Sequence, residues 1–375
     1  MSEWPMVKLG EVCKINPRRD KSITSSTEIS FIEMKSLLEN GNVHPVTVPA
    51  EKYLKGYTPF QKHDILIAKI TPCFQNGKIG LANIDTDFGF GTTEFHVVRS
   101  GETLSPEYLT FFLRQQWILD AGETCMTGSG GQRRVPKAFL ENLKLPLPPL
   151  GEQKRIAEIL GGVSKAIQIL EHELQLLGEI SVLEQQNNLS TQKLSDLVTI
   201  RSGTVDPTLS VNRNLPHIAP DSIEKNTGRI LQIRSCEEDK VTSGKYHFYK
   251  GDVLYSKIRP YLNKVVIAPF EGLCSADMYA LRPKEGINPE VLQALLMSKD
   301  FLAYAEQWSG RASIPKINRK ALLAYNVPKM TDKQVNEVKV KIQSIHKVIE
   351  LKCRKLSLLQ ELQKSLATRA FAGLL

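Results

Sequence analysis

Two stretches of heptad spacing, each placed after a segment of mixed character, constrain this 375-residue chain more than any other feature. The first follows Pro146, Pro148 and Pro149. Proline lacks the amide hydrogen and disfavours helical geometry in the residue before it, so these three end one unit of structure and stiffen the approach to the next. Beyond them Ile156, Leu160, Val163, Ile167, Leu170, Leu174 and Leu177 recur at alternating steps of four and three. That period buries one narrow stripe of a helix against a partner helix. The second stretch follows Thr331, with Val338, Ile342, Ile345, Ile349, Leu356, Leu359 and Leu366 in a similar seam. A shift of 182 carries Ile156 onto Val338, Leu160 onto Ile342, Val163 onto Ile345 and Ile167 onto Ile349. Residues 151–190 hold 3 Lys/Arg against 6 Asp/Glu, and residues 331–375 hold 9 against 4. An acidic rod beside a basic one is favourable, so the pattern predicts that the two pair with each other. Two unrelated amphipathic helices, each covering its own domain, are the competing reading, and they leave the matched lengths unexplained.

The segments between the seams also repeat. Asp64-Ile65-Leu66-Ile67-Ala68-Lys69-Ile70-Thr71-Pro72 aligns with Asp252-Val253-Leu254-Tyr255-Ser256-Lys257-Ile258-Arg259-Pro260, with five of nine positions identical at a shift of 188. Each run is followed by Asn and Lys (Asn76 and Lys78, Asn263 and Lys264) and then by an apolar strand. Pro106-Glu107-Tyr108-Leu109 matches Pro289-Glu290-Val291-Leu292, and Lys8-Leu9-Gly10 matches Lys193-Leu194-Ser195. The Gly-rich basic run GSGGQRRVPK (128–137) aligns with SGRASIPK (309–316) on its proline. Strands are expected within 64–70, 78–84 and 94–99, and one helix over PEYLTFFLRQQWIL, with Tyr108, Phe111, Phe112 and Trp117 available to its buried face. The chain therefore reads as a duplicated unit. Its expected parts are a mixed α/β (α+β) domain over 1–147, a spacer helix over 148–190, a second such domain over 191–329 and a second spacer helix over 330–375.

Composition removes several function classes. The start MSEWPMVKLG has no apolar signal core, and no apolar run approaches the ~18 residues that a membrane span requires, so a cytoplasmic protein is expected. Six scattered cysteines form no CxxC pair and suggest reduced, mostly buried thiols with no zinc site. There is no Walker loop, HExxH, GxSxG or strand-linked GxGxxG, and the acids do not cluster in a nuclease-like way. His172 and His346 fall on the two rods and read as surface residues.

A formal net charge of +9 and a pI near 9.1 point to an anionic partner. Residues 1–150 carry 17 positive and 16 negative groups, and residues 191–330 carry 20 and 14, so in the first domain a basic patch has to come from local clustering. Two loops of each domain gather the required types. The first domain offers Lys69, Asn76, Lys78, Gln132, Arg133, Arg134 and Lys137. The second offers Lys257, Arg259, Tyr261, Asn263, Lys264, Arg311, Lys316, Asn318 and Arg319. Lys and Arg neutralise phosphates, Arg bonds guanine bidentately, and Asn or Gln does the same to adenine. Glycines at 128, 130, 131 and 310 let backbone come close to a nucleic acid. Double-stranded DNA is the partner these residues suggest. Two other readings stay open, a coiled-coil adaptor whose end domains bind proteins, and an enzyme whose site has no recognisable motif.

The phrase LPLPPLGEQKRIAEIL (145–160), the ending LQKSLATRAFAGLL (362–375) and KIRPYLNK (257–264) within a two-fold repeat resemble the specificity subunits of type I DNA restriction–modification enzymes. The resemblance extends over essentially the whole chain. It implies a non-catalytic subunit with two target recognition domains, each reading one half of a bipartite DNA site. It further implies that the two helices pack antiparallel, set the spacer between half-sites and recruit two modification (methyltransferase) subunits, which restriction subunits then join. No cofactor is expected in this chain. S-adenosylmethionine, ATP and Mg would be used by the partner subunits. The family pattern is followed less closely at YNVPKMTDKQ (325–334), where one proline stands against three at the first helix.

Overall fold

The computed structural model describes residues 4–129, 131–178, 190–310 and 313–375. The chain divides into two compact units, residues 1–168 with 357–375 and residues 169–356. Both divisions fall inside long helices, Leu150–Gly178 and Asp332–Phe371, so each unit contains part of each helix. Residues 179–189, the expected end of the first rod, lie outside the described residues. Among the described residues no helix is long and apolar enough to cross a membrane.

The first unit is built around an antiparallel sheet in the order Cys13–Ile15, Phe95–Ser100, Ile65–Ala68, Ile79–Leu81. All four residues of Ile65–Ala68 are buried, which explains why the run is continuously apolar where a half-exposed strand alternates. Side chains on a strand point alternately to the two faces. Ile65 and Ile67 enter a core with Tyr108, Phe112 and Leu160, whereas Leu66 and Ala68 enter another with Phe60 and Phe95. The first core is roofed by helices. The second lies under a sheet ordered Val46–Pro49, Glu28–Ile32, Phe88–Gly91, Thr58–Gln61, whose middle pair is parallel.

The second unit repeats the plan. Its first sheet runs Val198–Ile200, Met278–Pro283, Val253–Ser256, Val265–Ile267, again all antiparallel. Val253 and Tyr255 face the helical core, while Leu254 faces the other. Its second sheet contains the parallel pair Pro216–Ile218 with Gly272–Cys274, flanked by Lys245–Phe248 and Arg234–Ser235, with Thr204–Val205 added at one edge. The duplicated mixed α/β reading is thus seen strand for strand. Gly89 and Gly272 occupy the same place in the two second sheets. A Cβ on either would meet a phenylalanine ring, at 2.3 Å from Phe60 and 2.8 Å from Phe248.

The expected helix after Pro106 is in fact two, Pro106–Leu113 and Gln116–Thr124. The first ends at Arg114, whose guanidinium turns inward to donate to the carbonyls of Ile79 and Glu39, at 2.7 and 2.8 Å. Gln115 then takes an extended conformation and the chain restarts as helix. As a result Tyr108 and Phe112 are buried as expected but Trp117 is half exposed, meeting Phe112 only edge-on at 5.9 Å.

In the first unit the helices approach antiparallel. Ser164 Oγ accepts from Gln363 at 2.6 Å, and Arg155 reaches the Leu375 carbonyl at 3.1 Å. Ile156, Leu160 and Ala370 are buried in the helical core, with Leu366 and Phe371 packed against it. Each buried Ile or Leu of such a seam contributes about 1.5–3 kcal/mol. In the second unit Lys352 pairs with Glu173 at 2.8 Å, a cation from the basic rod on an acid of the other, and the second helix buries Ile342 and Ile349. His172 and His346 are exposed.

The two helix starts are fixed differently. At the first, the fully buried Gln153 accepts from the Ser105 amide at 2.8 Å and donates to the carbonyls of Thr103 and Pro148 at 2.9 and 2.7 Å. At the second, where prolines are scarce, Thr331 and Gln334 form a reciprocal capping box. Gln334 Oε1 accepts from the Thr331 amide at 2.9 Å and Thr331 Oγ1 from the Gln334 amide at 3.3 Å.

Candidate nucleic-acid interface

In each unit the strand Ile65–Ala68, or its counterpart Val253–Ser256, runs out into a loop, and that loop is stitched to the basic run that follows the second of the short helices. In the first unit the Val135 amide donates to the Lys69 carbonyl at 2.9 Å and the Thr71 amide to the Arg133 carbonyl at 2.9 Å, with an antiparallel bridge between Ile70 and Arg134. In the second, the Ile317 amide donates to Lys257 at 3.0 Å and the Arg259 amide to Pro315 at 2.7 Å, with a bridge between Ile258 and Lys316. Loops far apart in sequence are thus joined in both units by the same three links.

These links correct the alignment of the basic runs. Val135 corresponds to Ile317 and Pro136 to Asn318, so Pro315 falls opposite Arg133 and the prolines at 136 and 315 are offset by three residues. What matches is the bridge and the helix start after it, Lys137–Asn142 against Arg319–Ala324. Proline drew the sequence alignment because it is conspicuous, but it serves different steps of the two turns. Pro136 occupies the N-cap position, which in the second unit belongs to Asn318, whose Oδ1 accepts from the Ala321 amide at 2.9 Å.

The first unit brings Lys69, Gln132, Arg133, Arg134 and Lys137 together, and most of their charges are already paired. Arg134 makes a two-pronged bond to Glu94 at 2.8 and 2.9 Å, which holds the Glu94 carboxyl below the usual carboxylate range. Arg133 pairs with Glu123 at 3.3 Å and Lys137 with Glu141 at 2.7 Å. Gln132 is exposed. Asn76 lies further along the loop, exposed, with its amide donating to Glu39 at 2.8 Å. Lys78 turns inward to the Met34 carbonyl at 3.0 Å.

In the second unit Arg259, Tyr261, Lys316, Asn318 and Arg319 are exposed. Lys257 stands over the Tyr279 ring at 5.6 Å. Arg319 reaches the Ile200 carbonyl at 3.4 Å. Arg259 has φ +46°, a left-handed conformation uncommon for a long side chain. Asn263 is 5 % exposed, with its amide on the Met297 carbonyl at 3.2 Å, and its structural counterpart is Gly77, since both have positive φ (+47° and +70°) immediately before the lysine. Lys264 matches Lys78 in role as well as in place, donating to the Pro220 carbonyl at 2.6 Å, and burial draws its pKa down. Lys78, Asn263 and Lys264 therefore brace the loops from within. Arg311 and Gly130 lie outside the described residues.

No motif or spacing pointed to the groups beneath these loops. His96, 6 % exposed, bonds the Val135 carbonyl through Nε2 at 2.8 Å, and Tyr279 donates its hydroxyl to the Ile317 carbonyl at 3.3 Å. Below them, buried Asp64 holds Arg99 bidentately at 2.8 and 2.7 Å. Its counterpart Asp252 is shared by Arg282 at 3.1 Å and Arg201 at 3.3 Å, and both guanidiniums lie over the Tyr249 ring, at 5.3 and 4.6 Å. The second unit thus carries a surplus cation where the first is neutral. The matched Asp64 and Asp252 were the only part of this visible in the repeat. Among the described residues no group of three or more His, Cys, Asp or Glu side chains is placed to hold a metal ion.

The chain is similar to known proteins. The type I restriction enzyme EcoAI specificity subunit of Escherichia coli is 36% identical over 212 residues, 56% of this chain and 34% of that protein. The EcoDI specificity subunit, also of Escherichia coli, is 35% identical over 191 residues, 50% of this chain and 42% of that one. The matched stretches thus span well under half of these relatives' length. Among solved structures, a chain from work on complex assembly and conformational transition of the type I R-M system aligns over 99% of this chain and 98% of its own, with a TM-score of 0.58 at 19% identity. The type I restriction–modification S subunit from M. genitalium aligns over 98% and 96%, with a TM-score of 0.53 at 14% identity, so both share the fold. The family model described as the type I restriction modification DNA specificity domain matches twice, over residues 1–179 and 187–360, once for each repeat. The chain belongs to the type I restriction modification DNA specificity domain family.

Proposed function

We propose that this chain is the sequence-reading subunit of a type I restriction–modification complex, with each unit reading one half of a two-part site in double-stranded DNA. One observation carries this reading. The same pair of loops, rich in Lys, Arg and amide side chains, is joined by the same hydrogen bonds in both units. The reading face consists of Lys69, Asn76, Gln132, Arg133, Arg134 and Lys137 in the first unit, and Lys257, Arg259, Tyr261, Lys316, Asn318 and Arg319 in the second. The acids that pair with Arg133 and Arg134 in the free protein exchange for phosphates or base edges, which keeps the loops shaped before DNA arrives. In this reading the two long helices set the number of base pairs between half-sites and hold two modification subunits, and restriction subunits join that assembly. The chain performs no chemistry. S-adenosylmethionine serves the modification subunits, and ATP with Mg serves the restriction subunits.

The test is to purify this chain with a methyltransferase subunit encoded beside it and to map adenine methylation on genomic DNA. A gapped two-part motif that appears only when this chain is present supports the reading. Methylation unchanged by its absence sinks it and favours an adaptor whose end domains bind proteins. Binding should also weaken with salt, with Lys69→Ala reducing the slope of log affinity against log salt by roughly one counterion's worth.

A further inference from the structure

We propose that His96 and Tyr279 are the positioning residues of the two reading loops, each holding its loop to the sheet beneath by one side-chain bond to a loop carbonyl. The inference rests on the DNA-reading function above and adds which residues set the loop in register. The two groups occupy corresponding places. His96 lies on Phe95–Ser100 and Tyr279 on Met278–Pro283, strands that hold the same position in the two sheets. Their acceptors correspond too, since Val135 and Ile317 are the residues whose amides close onto Lys69 and Lys257. Each acceptor residue is therefore held on both sides, by a backbone bond to one loop and by a side chain from the sheet. It directly precedes the Pro136-Lys137 or Asn318-Arg319 turn. An imidazole and a phenol are unlike in sequence, and they deliver the same donor to the same point.

Hydrogen-bond accounting fixes the state of the histidine. Asn16 Oδ1 accepts from the Val97 amide at 3.0 Å, so the Asn16 side-chain nitrogen is the atom facing His96 Nδ1 at 3.1 Å. That nitrogen only donates, so Nδ1 has to accept. The proton of the neutral ring is then on Nε2, where it donates to the Val135 carbonyl. The charged groups acting on the ring are Lys69, Lys137 and Glu94, all from the reading loops or beside them. A second proton on Nδ1 would oppose the Asn16 amide, so the neutral ring is the one that works.

The two ring nitrogens can be tested separately. Glutamine places its amide nitrogen where Nε2 lies, and asparagine places its amide where Nδ1 lies. His96→Gln keeps the bond to Val135 and His96→Asn cannot reach it, while both remove the ring from the core. The probes are duplexes carrying the two-part sequence found by methylation mapping, with one half-site scrambled at a time, bound to the full chain in complex with its modification subunits. His96→Asn is expected to weaken binding to duplexes that retain the first unit's half-site by about five-fold, the worth of one ordinary internal hydrogen bond. It leaves the other half-site unchanged, and His96→Gln stays close to wild type. Tyr279→Phe, which removes a single oxygen and preserves the packing, is expected to do the same at the second unit's half-site alone. Equal loss in Gln and Asn variants, loss at both half-sites, or no loss in His96→Asn and Tyr279→Phe would each overturn the proposal. Wild-type protein indifferent to both scrambled half-sites would overturn the DNA reading itself, a distinct result.

Discussion

Replacing Gln153 with leucine tests how the first long helix is held. The side chain is fully buried, and its three bonds run to three backbone groups, the Ser105 amide and the Thr103 and Pro148 carbonyls. Leucine fits the volume but leaves all three without a partner. Two of the bonds are buried and the one to Thr103 is partly exposed, so water can recover part of that one. An orphaned buried group costs ~1–3 kcal/mol, so the substitution should cost about 3–4 kcal/mol. That corresponds to roughly 150- to 700-fold in the equilibrium for local opening, at 1.4 kcal/mol per ten-fold. Hydrogen exchange followed by mass spectrometry reads this directly in peptides spanning 103–110 and 150–160. Gln334 provides the comparison. Its oxygen accepts from the Thr331 amide and hydroxyl at the mouth of the second helix, in an exposed setting, so Gln334→Leu should cost about 1 kcal/mol, the worth of a cap. Protection at 103–110 within three-fold of wild type in Gln153→Leu would refute the reasoning. It would mean that the prolines alone fix the helix start.

Other consequences can be checked with ordinary equipment. Gly89→Ala and Gly272→Ala each drive a methyl group into a packed ring, so each should lower the stability of its own unit by at least ~1–3 kcal/mol in urea titrations. Burial, chiefly, and the nearby Lys69 and Lys137 hold the His96 pKa below the ordinary histidine value. The unfolded chain therefore binds that proton more readily, so the stability His96 contributes is complete above about pH 6.5 and falls as pH drops toward the folded value. His96→Gln should flatten that part of the stability curve of the first unit. Burial pushes the thiols of Cys13 and Cys274 up to about 12, whereas Cys125 is exposed, so iodoacetamide should label Cys125 first and spare the other two until the protein unfolds.

What could be read from the sequence was whatever repeats or keeps a period. The seams gave the helices because Ile156, Leu160, Ile342 and Ile349 all have to face inward. The doubled DILIAKI-type run gave the central strands because a strand buried on both faces admits almost nothing polar. Roles that depend on direction were not legible. Lys78 and Lys264 are loop lysines by sequence, and nothing in their neighbours says that the amines turn inward to Met34 and Pro220. His96 and Tyr279 share a task without sharing chemistry, so no comparison of the halves could pair them. The break of the expected continuous helix at Arg114 was equally hidden, since the side-chain targets there, Ile79 and Glu39, lie some 35 and 75 residues away in the chain. The division between the units was hidden for a related reason, since it passes through two helices whose sequences continue without interruption.

That division has a bearing on synthesis. The helical core of the first unit is closed by Leu366, Ala370 and Phe371, which a ribosome delivers only after all of the second unit. At ~5–20 residues per second, residues 169–356 take roughly 10–40 s to emerge. During that interval the core that holds Ile156 and Leu160 lacks the cover of Leu366, Ala370 and Phe371, whereas the second unit can close as soon as its own part of the second helix appears. The unit encoded first is thus the one completed last, and the hydrophobic surface it displays meanwhile is a natural place for a chaperone to hold the nascent chain.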